Sequence, residues 1–388
     1  MGHTISELWQ KQSLPLSIKI LMTQRRIREW VTEFGEDGVY VSFSGGKDST
    51  VLLHIVRQMY PNITAVFVDT GLEYPEIREF VKTFDNVVWL KPKKNFKQII
   101  TDYGYPFISK ETSNKVYWAR KYVKALEAAK SREREREIIP HAWAMADILG
   151  IDRRGKAKES LEYQNLKRGI IPSETSRYQQ IMGTYKQKNG SVSKYNCQKY
   201  KFFLDAPFEI SDTCCRIMKK DPCHKFEKKT GRHPMLAQLA SESRKRTTGW
   251  LKTGCNTFNA KRPQSNPMAF WTEQDILLYI KLNNIPICSV YGDIVAEGTT
   301  DTGVELSEDM EIFDKDRPLL KTTGCDRTGC MFCGYGCHLE DSPTRFERMK
   351  VTHPKQYNYI MKPVQEGGLG YKDVIDWINQ HGNMNIKY

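Results

Sequence analysis

A run of strand-forming residues, Gly38-Val39-Tyr40-Val41-Ser42-Phe43, passes directly into Ser44-Gly45-Gly46-Lys47-Asp48-Ser49-Thr50 and then into a helix-like stretch from Val51 to Tyr60. That order demands a strand, a tight glycine turn and a helix that begins where the strand ends. Two consecutive glycines let backbone N–H groups approach an anion with no side chain in the way. The helix start adds unpaired N–H groups and the positive end of its dipole. Lys47 and the hydroxyls of Ser44 and Ser49 complete a polyphosphate site. The spacing is not G-x-x-x-x-G-K-S/T, because Asp48 follows the Gly-Lys pair. An ordinary glycine-rich turn, the alternative, rarely carries this whole set of side chains.

The alternation continues on both sides of the loop. Residues 16–34 place Ile18, Leu21, Ile27, Trp30, Val31 and Phe34 at helical spacing, so an amphipathic helix leads into the first strand. Ile63 to Val68 reads as a second buried strand ending in Asp69-Thr70-Gly71, and Tyr74-Pro75-Glu76 opens a helix through about Phe84. Asn86 to Leu90 makes a third strand ahead of a helix near Phe96–Tyr103. Strands alternating with helices imply right-handed βαβ units, hence an α/β fold with a Rossmann-like parallel sheet and helices on both faces. Ligands of such sheets sit beyond the carboxyl ends of the strands. The Ser44 loop and the Asp69-Thr70-Gly71 turn both lie at that edge and can contact one ligand.

With 388 residues and 39% hydrophobic content the chain can bury a full core. It has no apolar run long enough for a membrane span, and its N-terminus lacks a secretory core, which points to the cytoplasm and away from a membrane. The net charge of +13 is unevenly placed. Residues 214–262 carry thirteen Lys or Arg against three Asp or Glu, a segment that attracts the phosphates of a nucleotide or of nucleic acid. Taken singly, these residues equally suit a solvated basic face. Residues 291–321, with nine acidic and three basic residues, read as an exposed loop or hairpin.

Four segments follow: 1–107, the first half of a nucleotide-binding domain; 108–200, a charged helical insertion; 201–290, the second half with the basic segment; and 291–388, the acidic loop, a cysteine-rich stretch and C-terminal helices. Within the insertion, the alternating charges of 131–137 suit a solvent-exposed helix, and Lys186 to Lys194 reads as a linker. Thr272 caps a helix running to Leu282.

Ten cysteines in a chain without an export signal more often bind metal or do chemistry than form disulfides. Cys325, Cys330, Cys333 and Cys337 cluster late in the chain, with Cys214-Cys215, Cys223 and Cys255 upstream. Cys330 and Cys333, two residues apart, suit one metal centre. Partners from Cys325 and Cys337 would make a local zinc site, whereas Cys214, Cys215 or Cys255 would tie the segment to the core. Adjacent cysteines seldom both ligate tetrahedral zinc, and a cubane cluster tolerates them better. Buried unligated thiols are the third option.

Ser44–Thr50 resembles the S-G-G-x-D-S loop of the PP-loop ATP pyrophosphatase superfamily. With Phe67 to Glu76, Cys214-Cys215, Glu242-Ser243-Arg244-Lys245-Arg246 and Asn266-Pro267 to Asp275, it resembles in order the motif series of the phosphoadenosine phosphosulfate (PAPS) reductase family, over roughly residues 35–105 and 205–340. The resemblance implies an adenine nucleotide alpha hydrolase-like fold. From the cluster-bearing members it implies a four-iron, four-sulfur (4Fe-4S) centre on Cys214, Cys215, Cys330 and Cys333, with Cys255 as a substitute for one of the adjacent pair. Two features depart from the family's PAPS and adenosine phosphosulfate (APS) reductases, which degrade the loop and end in a Glu-Cys-Gly-Leu-His type tail. Here the loop is intact, and Asn383 to Tyr388 hold no cysteine. An intact loop resembles the ATP-binding relatives, the ATP sulfurylase small subunit and the sulfurtransferase of DNA phosphorothioation; of these two, only the latter also carries a cluster.

The leading expectation is an enzyme that cleaves ATP between its α and β phosphates and adenylates an acceptor, with nucleic acid among the acceptors. It then supports iron–sulfur-assisted sulfur transfer from a donor such as a cysteine desulfurase. Ser44, Gly45, Gly46, Lys47, Ser49 and Thr50 would hold the pyrophosphate, and Asp69, Thr70 and Gly71 would contact the same nucleotide. Mg²⁺ on Asp48 or Asp69 would neutralise developing charge, and Arg244 and Arg246, oriented by Glu242, would clamp the remaining phosphate. The alternative is an APS or PAPS reductase in which Cys337 or Cys223 attacks sulfur as a thiolate and sulfite is released. A third reading is a nucleic-acid-binding module whose Trp250 and Phe258 stack on bases.

Overall fold

The computed structural model describes residues 2–132, 146, 151, 164, 174–297 and 318–388. Most of the acidic stretch, 298–317, and the charged run from 133 to 137 lie outside the described residues. The strands are β1 (Val39–Ser42), β2 (Ala65–Val68), β3 (Val87–Leu90), β4 (Phe107–Ile108), β5 (His233–Met235), β6 (Asn256–Thr257), β7 (Gln264–Ser265), β8 (Ile294–Ala296), β9 (Leu320–Thr322) and β10 (Gly334–Tyr335). Two compact units form, one from Met1–Asn95 and Ile217–Met331, the other from Phe96–Arg216 and Phe332–Tyr388. These boundaries differ from the four sequence segments. The insertion shares a unit with the C-terminal helices, and the stretch 291–388 is divided after Met331.

The first unit holds a six-stranded sheet in the order β3-β2-β1-β5-β7-β6, parallel except for β6, which runs antiparallel to β7. Val39, Tyr40 and Val41 are all buried, as are Ala65, Val66 and Phe67. Consecutive buried residues are what a parallel strand covered on both faces requires. The chain builds β1, β2 and β3 outward in one direction and then returns to add β5 on the other side of β1. The reversal places a crevice beyond the carboxyl ends of β1 and β5, where open α/β sheets bind their ligands.

Helices occupy Leu16–Phe34, Pro75–Lys82 and Glu273–Leu282, where their apolar spacing puts them. The helix after β1 begins at Lys47 rather than Val51, with Gly46 as its N-cap. Lys47, Asp48 and Ser49 therefore form its first turn, and an acidic residue there is favoured by the helix dipole. Thr272 caps Glu273–Leu282 reciprocally with Asp275, whose carboxylate also takes the ammonium of Lys19 at 2.8 Å, both side chains fully buried.

In the second unit the helix Lys110–Arg132 packs on Ser176–Met182 and on the turn Gln198–Asp205, while β4 pairs in parallel with β10. Helices Arg345–Thr352, Pro354–Met361 and Tyr371–Gly382 belong to the same unit. The 186–194 stretch is not a linker. Lys186 bridges to Val192, and Gln187 N–H donates to Ser191 O at 2.8 Å. Its polar composition serves the tip, where Gly190 takes a φ of +81°. No helix among the described residues is long and apolar enough to cross a membrane.

Candidate active site

Beyond β1 the chain turns at Gly45, with φ +70°, where a Cβ would stand 2.8 Å from Val81 Cγ2 and 2.9 Å from Ile77 Cγ2. Ser44 N–H donates to Ser49 Oγ at 3.1 Å, and the two hydroxyls share a hydrogen bond at 3.0 Å. Ser49 and Thr50 hydroxyls donate to Gly46 O at 2.9 and 3.1 Å. The loop is thus shut on its own helix and its shape is preset. Gly45→Ala is expected to cost about 2–4 kcal/mol of stability, from left-handed strain plus overpacking, read as a lower unfolding midpoint. An unchanged midpoint would show that the turn can shift.

Lys47 is only 5% exposed; its Nζ lies 2.9 Å from Glu273 Oε1 and donates to Asp326 O at 2.5 Å. Its backbone N–H donates to Tyr291 Oη at 3.1 Å, and that hydroxyl lies 2.6 Å from Thr328 Oγ1. Burial pushes Tyr291 up to about 12, so it remains a hydroxyl. Arg246 is positioned by the cap of the helix Arg244–Thr253, where Ser243 Oγ accepts the Arg246 N–H at 3.3 Å. Glu242 accepts from Leu239 N–H at 3.1 Å, pairs with Arg246, and lies 3.5 Å from Arg327 Nη1. Burial, then the nearby Arg327, weakens the hold of Arg246 on its proton, yet a guanidinium stays charged at neutral pH. Burial also raises the Asp48 carboxyl, with Lys47 pulling part of the way back.

A cavity of about 390 Å³ opens over this loop, walled by Ser44, Gly46–Ser49, Leu236–Gln238 after β5, Glu242, Arg246, Tyr291 and Arg327. A narrower cavity of about 110 Å³ lies against the ends of β1 and β2, with Phe43, Val66–Val68, Glu73, Lys219 and Cys223 in its walls. Thr328 and Gly329 line both. A third space of about 300 Å³ shares Lys47, Asp48, Glu242 and Arg327 with the first and extends to Thr272–Gln274.

Ser44, Gly46, Lys47, Asp48, Ser49, Glu242 and Arg246 thus meet around one cavity. Arg244 does not join them, because as the first residue of its helix it is exposed. Gly45 and Thr50 shape the loop from behind. Asp69 is engaged by Arg78 at 2.9 Å and by Gly71 N–H at 3.3 Å, and Thr70 by Glu73 at 2.7 Å, so that turn braces itself instead of lining the cavity. Trp250 is 4% exposed in the core and Phe258 packs against Trp30 and Phe34, so neither offers a face to a base. Sequence reasoning misses Tyr291, Glu273 and Arg327. Glu273 reads as part of a helix cap and Arg327 as spacing between cysteines; only the polar Asp326-Arg327-Thr328-Gly329 run next to Cys330 carries a hint.

None of the ten cysteines is paired in a disulfide. Cys255 is a buried member of the first unit's apolar core, which accounts for it without a ligand role. Cys330 belongs to the first unit, and Cys214, Cys215, Cys333 and Cys337 to the second. There Arg345, clasped by Glu340, donates to Cys333 O at 2.7 Å, and Tyr371 donates to Phe332 O at 2.5 Å. A Cβ on Gly334 would stand 2.6 Å from the Phe107 ring. The cysteine-bearing backbone is therefore fixed. Burial raises the Tyr335 hydroxyl, and the Cys215 and Cys333 thiols raise it further. Among the described residues no three His, Cys, Asp or Glu side chains are arranged to hold a metal ion.

Burial, then Glu227, pushes the Cys223 thiol up to about 11, and burial pushes Cys337 up to about 12. Alkylation of native Cys223 by iodoacetamide is therefore expected to be slow near neutral pH and to accelerate toward pH 11. Rapid labelling at neutral pH would reveal an activated thiolate.

A loop, a lysine and two arginines gather around a cavity at the reversal point of a parallel sheet in an α/β protein. The chain belongs to the phosphoadenosine phosphosulfate reductase domain family, which matches residues 38–137 and 171–335. A phosphoadenosine 5'-phosphosulfate reductase of Xylella fastidiosa (strain M23) is 35% identical over 72 residues, 19% of this chain and 30% of that protein. An uncharacterized protein of Methanocaldococcus jannaschii is 38% identical over 73 residues, 18% of each chain. The chain therefore spans less than a third of the length of these relatives. The crystal structure of phosphoadenylyl-sulfate reductase from Candida auris, a phosphate complex, aligns over 69% of this chain and 82% of its own, with 12% identity and a TM-score of 0.33.

Proposed function

We propose that this chain is a nucleotide-dependent enzyme that binds ATP and transfers its adenylyl group to an acceptor oxygen, preparing that position for sulfur. The observation that carries the reading is the intact loop walled together with Lys47, Arg246 and Arg327 around one cavity of about 390 Å³, room and charge for a leaving pyrophosphate. The acceptor oxygen forms its bond to the α phosphorus as the bond from that phosphorus to the α–β bridging oxygen breaks, and pyrophosphate leaves carrying the bridging oxygen. Asp48, in the walls of two cavities, would be available to a Mg²⁺ on the nucleotide, whereas Asp69 is occupied by Arg78. A sulfur nucleophile, from a donor such as a cysteine desulfurase, then displaces AMP. The basic segment 214–262 supports a nucleic-acid acceptor. The soft thiols of Cys214, Cys215, Cys330 and Cys333 have the donor chemistry of an iron–sulfur centre. Such a centre would supply electrons or an iron that binds sulfur.

The second reading, sulfonucleotide reduction, is favoured by the names of the Xylella relatives. Against it, Cys223 and Cys337, the thiols available for attack, are held protonated. Incubation with labelled ATP, APS and PAPS separates the two: AMP and pyrophosphate from ATP support adenylyl transfer, and sulfite from a sulfonucleotide overturns it. Iron and sulfide analysis after anaerobic purification is expected to give about four irons per chain; stoichiometric zinc would replace the cluster by a structural site.

A further inference from the structure

Residues 323–331 form a strap across the mouth of the phosphate loop. One end is pinned by Thr323 N–H to Asp293 O at 2.9 Å, Gly324 N–H to Tyr291 O and Cys325 N–H to Val290 O, both at 2.8 Å; the other by Met331 N–H to Leu72 O at 2.8 Å. Gly324 allows this approach, since a Cβ there would stand 2.4 Å from Val290 O. Between the pins, Asp326 O takes the Lys47 ammonium, Thr328 sits against the Tyr291 hydroxyl, and a Cβ on Gly46 would meet Thr328 Oγ1 at 3.2 Å. Arg327 alone on the strap projects a cation into the 390 Å³ and 300 Å³ spaces, 61% exposed and 3.5 Å from a Glu242 that Arg246 already neutralises.

We propose that Arg327 is a second guanidinium contact for the polyphosphate, donated by the strap into the space that the Ser44–Ser49 loop also lines. Bound polyphosphate takes Lys47 from the Asp326 carbonyl and Arg327 from Glu242, so the strap reports occupancy of the site. A long Coulombic contact to a carboxylate that has another partner is the interaction an anion displaces most readily, and two guanidinium forks on one phosphate chain bind it with direction as well as charge. This rests on the reading of the loop as a polyphosphate site.

The test uses inorganic pyrophosphate with Mg²⁺, then AMP, titrated calorimetrically into the full chain. Arg327→Ala is expected to weaken pyrophosphate binding by at least tenfold, the effect of one lost charge-assisted hydrogen bond, to leave AMP affinity within twofold, and to keep the wild-type unfolding midpoint because the side chain is exposed. Arg327→Lys is expected to recover only part. Hydrogen exchange of amides 324–331 is expected to change on adding pyrophosphate to the wild type but not to Arg327→Ala. Equal pyrophosphate affinity in Arg327→Ala and wild type, with Lys47→Met weakened, overturns the role of Arg327 and leaves the loop reading intact. No pyrophosphate binding by the wild type overturns both.

Discussion

Lys47→Met is expected to reduce nucleotide turnover by about 10²–10³-fold, the scale for losing one preorganised charge contact to a transition state. The argument is one of local charge. Lys47 stands among Asp48, Glu273 and Glu242, and with Arg246 and Arg327 it gives the site three cations against three carboxylates. Without it the carboxylates are in excess, and an incoming polyphosphate meets repulsion as well as a missing donor. Lys47→Arg is not expected to rescue, because a side chain 5% exposed and seated between Glu273 and the Asp326 carbonyl leaves no room for the broader guanidinium. The measurement is release of AMP and pyrophosphate from labelled ATP, alongside an unfolding curve. Retained turnover in Lys47→Met would falsify the loop as the phosphate site.

What the sequence makes legible here is local, and what it hides is long-range. The Ser44–Thr50 cradle, the cap at Thr272 and the parallel strands follow from neighbouring residues, since glycine pairs, capping side chains and apolar runs act within a turn or a strand. Arg327 and Tyr291 reach the cradle from 280 and 244 positions beyond Lys47 in the chain, and only the polar run around Arg327 hints at a phosphate. The Asp69-Thr70-Gly71 turn shows the converse. It lies at the correct edge of the sheet, but Arg78 and Glu73 satisfy its polar groups locally. Arg244 and Arg246 are indistinguishable by composition, and only the helix start separates them: the first residue points outward, and the third, held by the Ser243 cap, faces the cavity.

Asp275→Ala is expected to destabilise the chain by about 3–5 kcal/mol, the cost of stranding one member of a buried ion pair. Asp275 Oδ2 lies 2.8 Å from Lys19 Nζ, with both side chains at 0% exposure, and the same oxygen accepts the Thr272 N–H at 2.7 Å. The substitution therefore leaves an ammonium in the core and removes the reciprocal cap of the helix Glu273–Leu282 in one step. Replacing both partners by apolar residues, Lys19→Met with Asp275→Leu, is expected to recover most of the ion-pair cost and none of the cap, because the desolvated charge disappears with its partner. Denaturant unfolding of the two single variants and the double variant measures the coupling; additive losses would mean that the pair does not act as a unit. The effect extends to the site. Glu273 is the first residue of that helix and the partner of Lys47, so a frayed start releases the lysine from one of its two anchors. Pyrophosphate affinity in the double variant then separates the roles: a core restored without the cap is expected to regain stability while still binding pyrophosphate differently from the wild type.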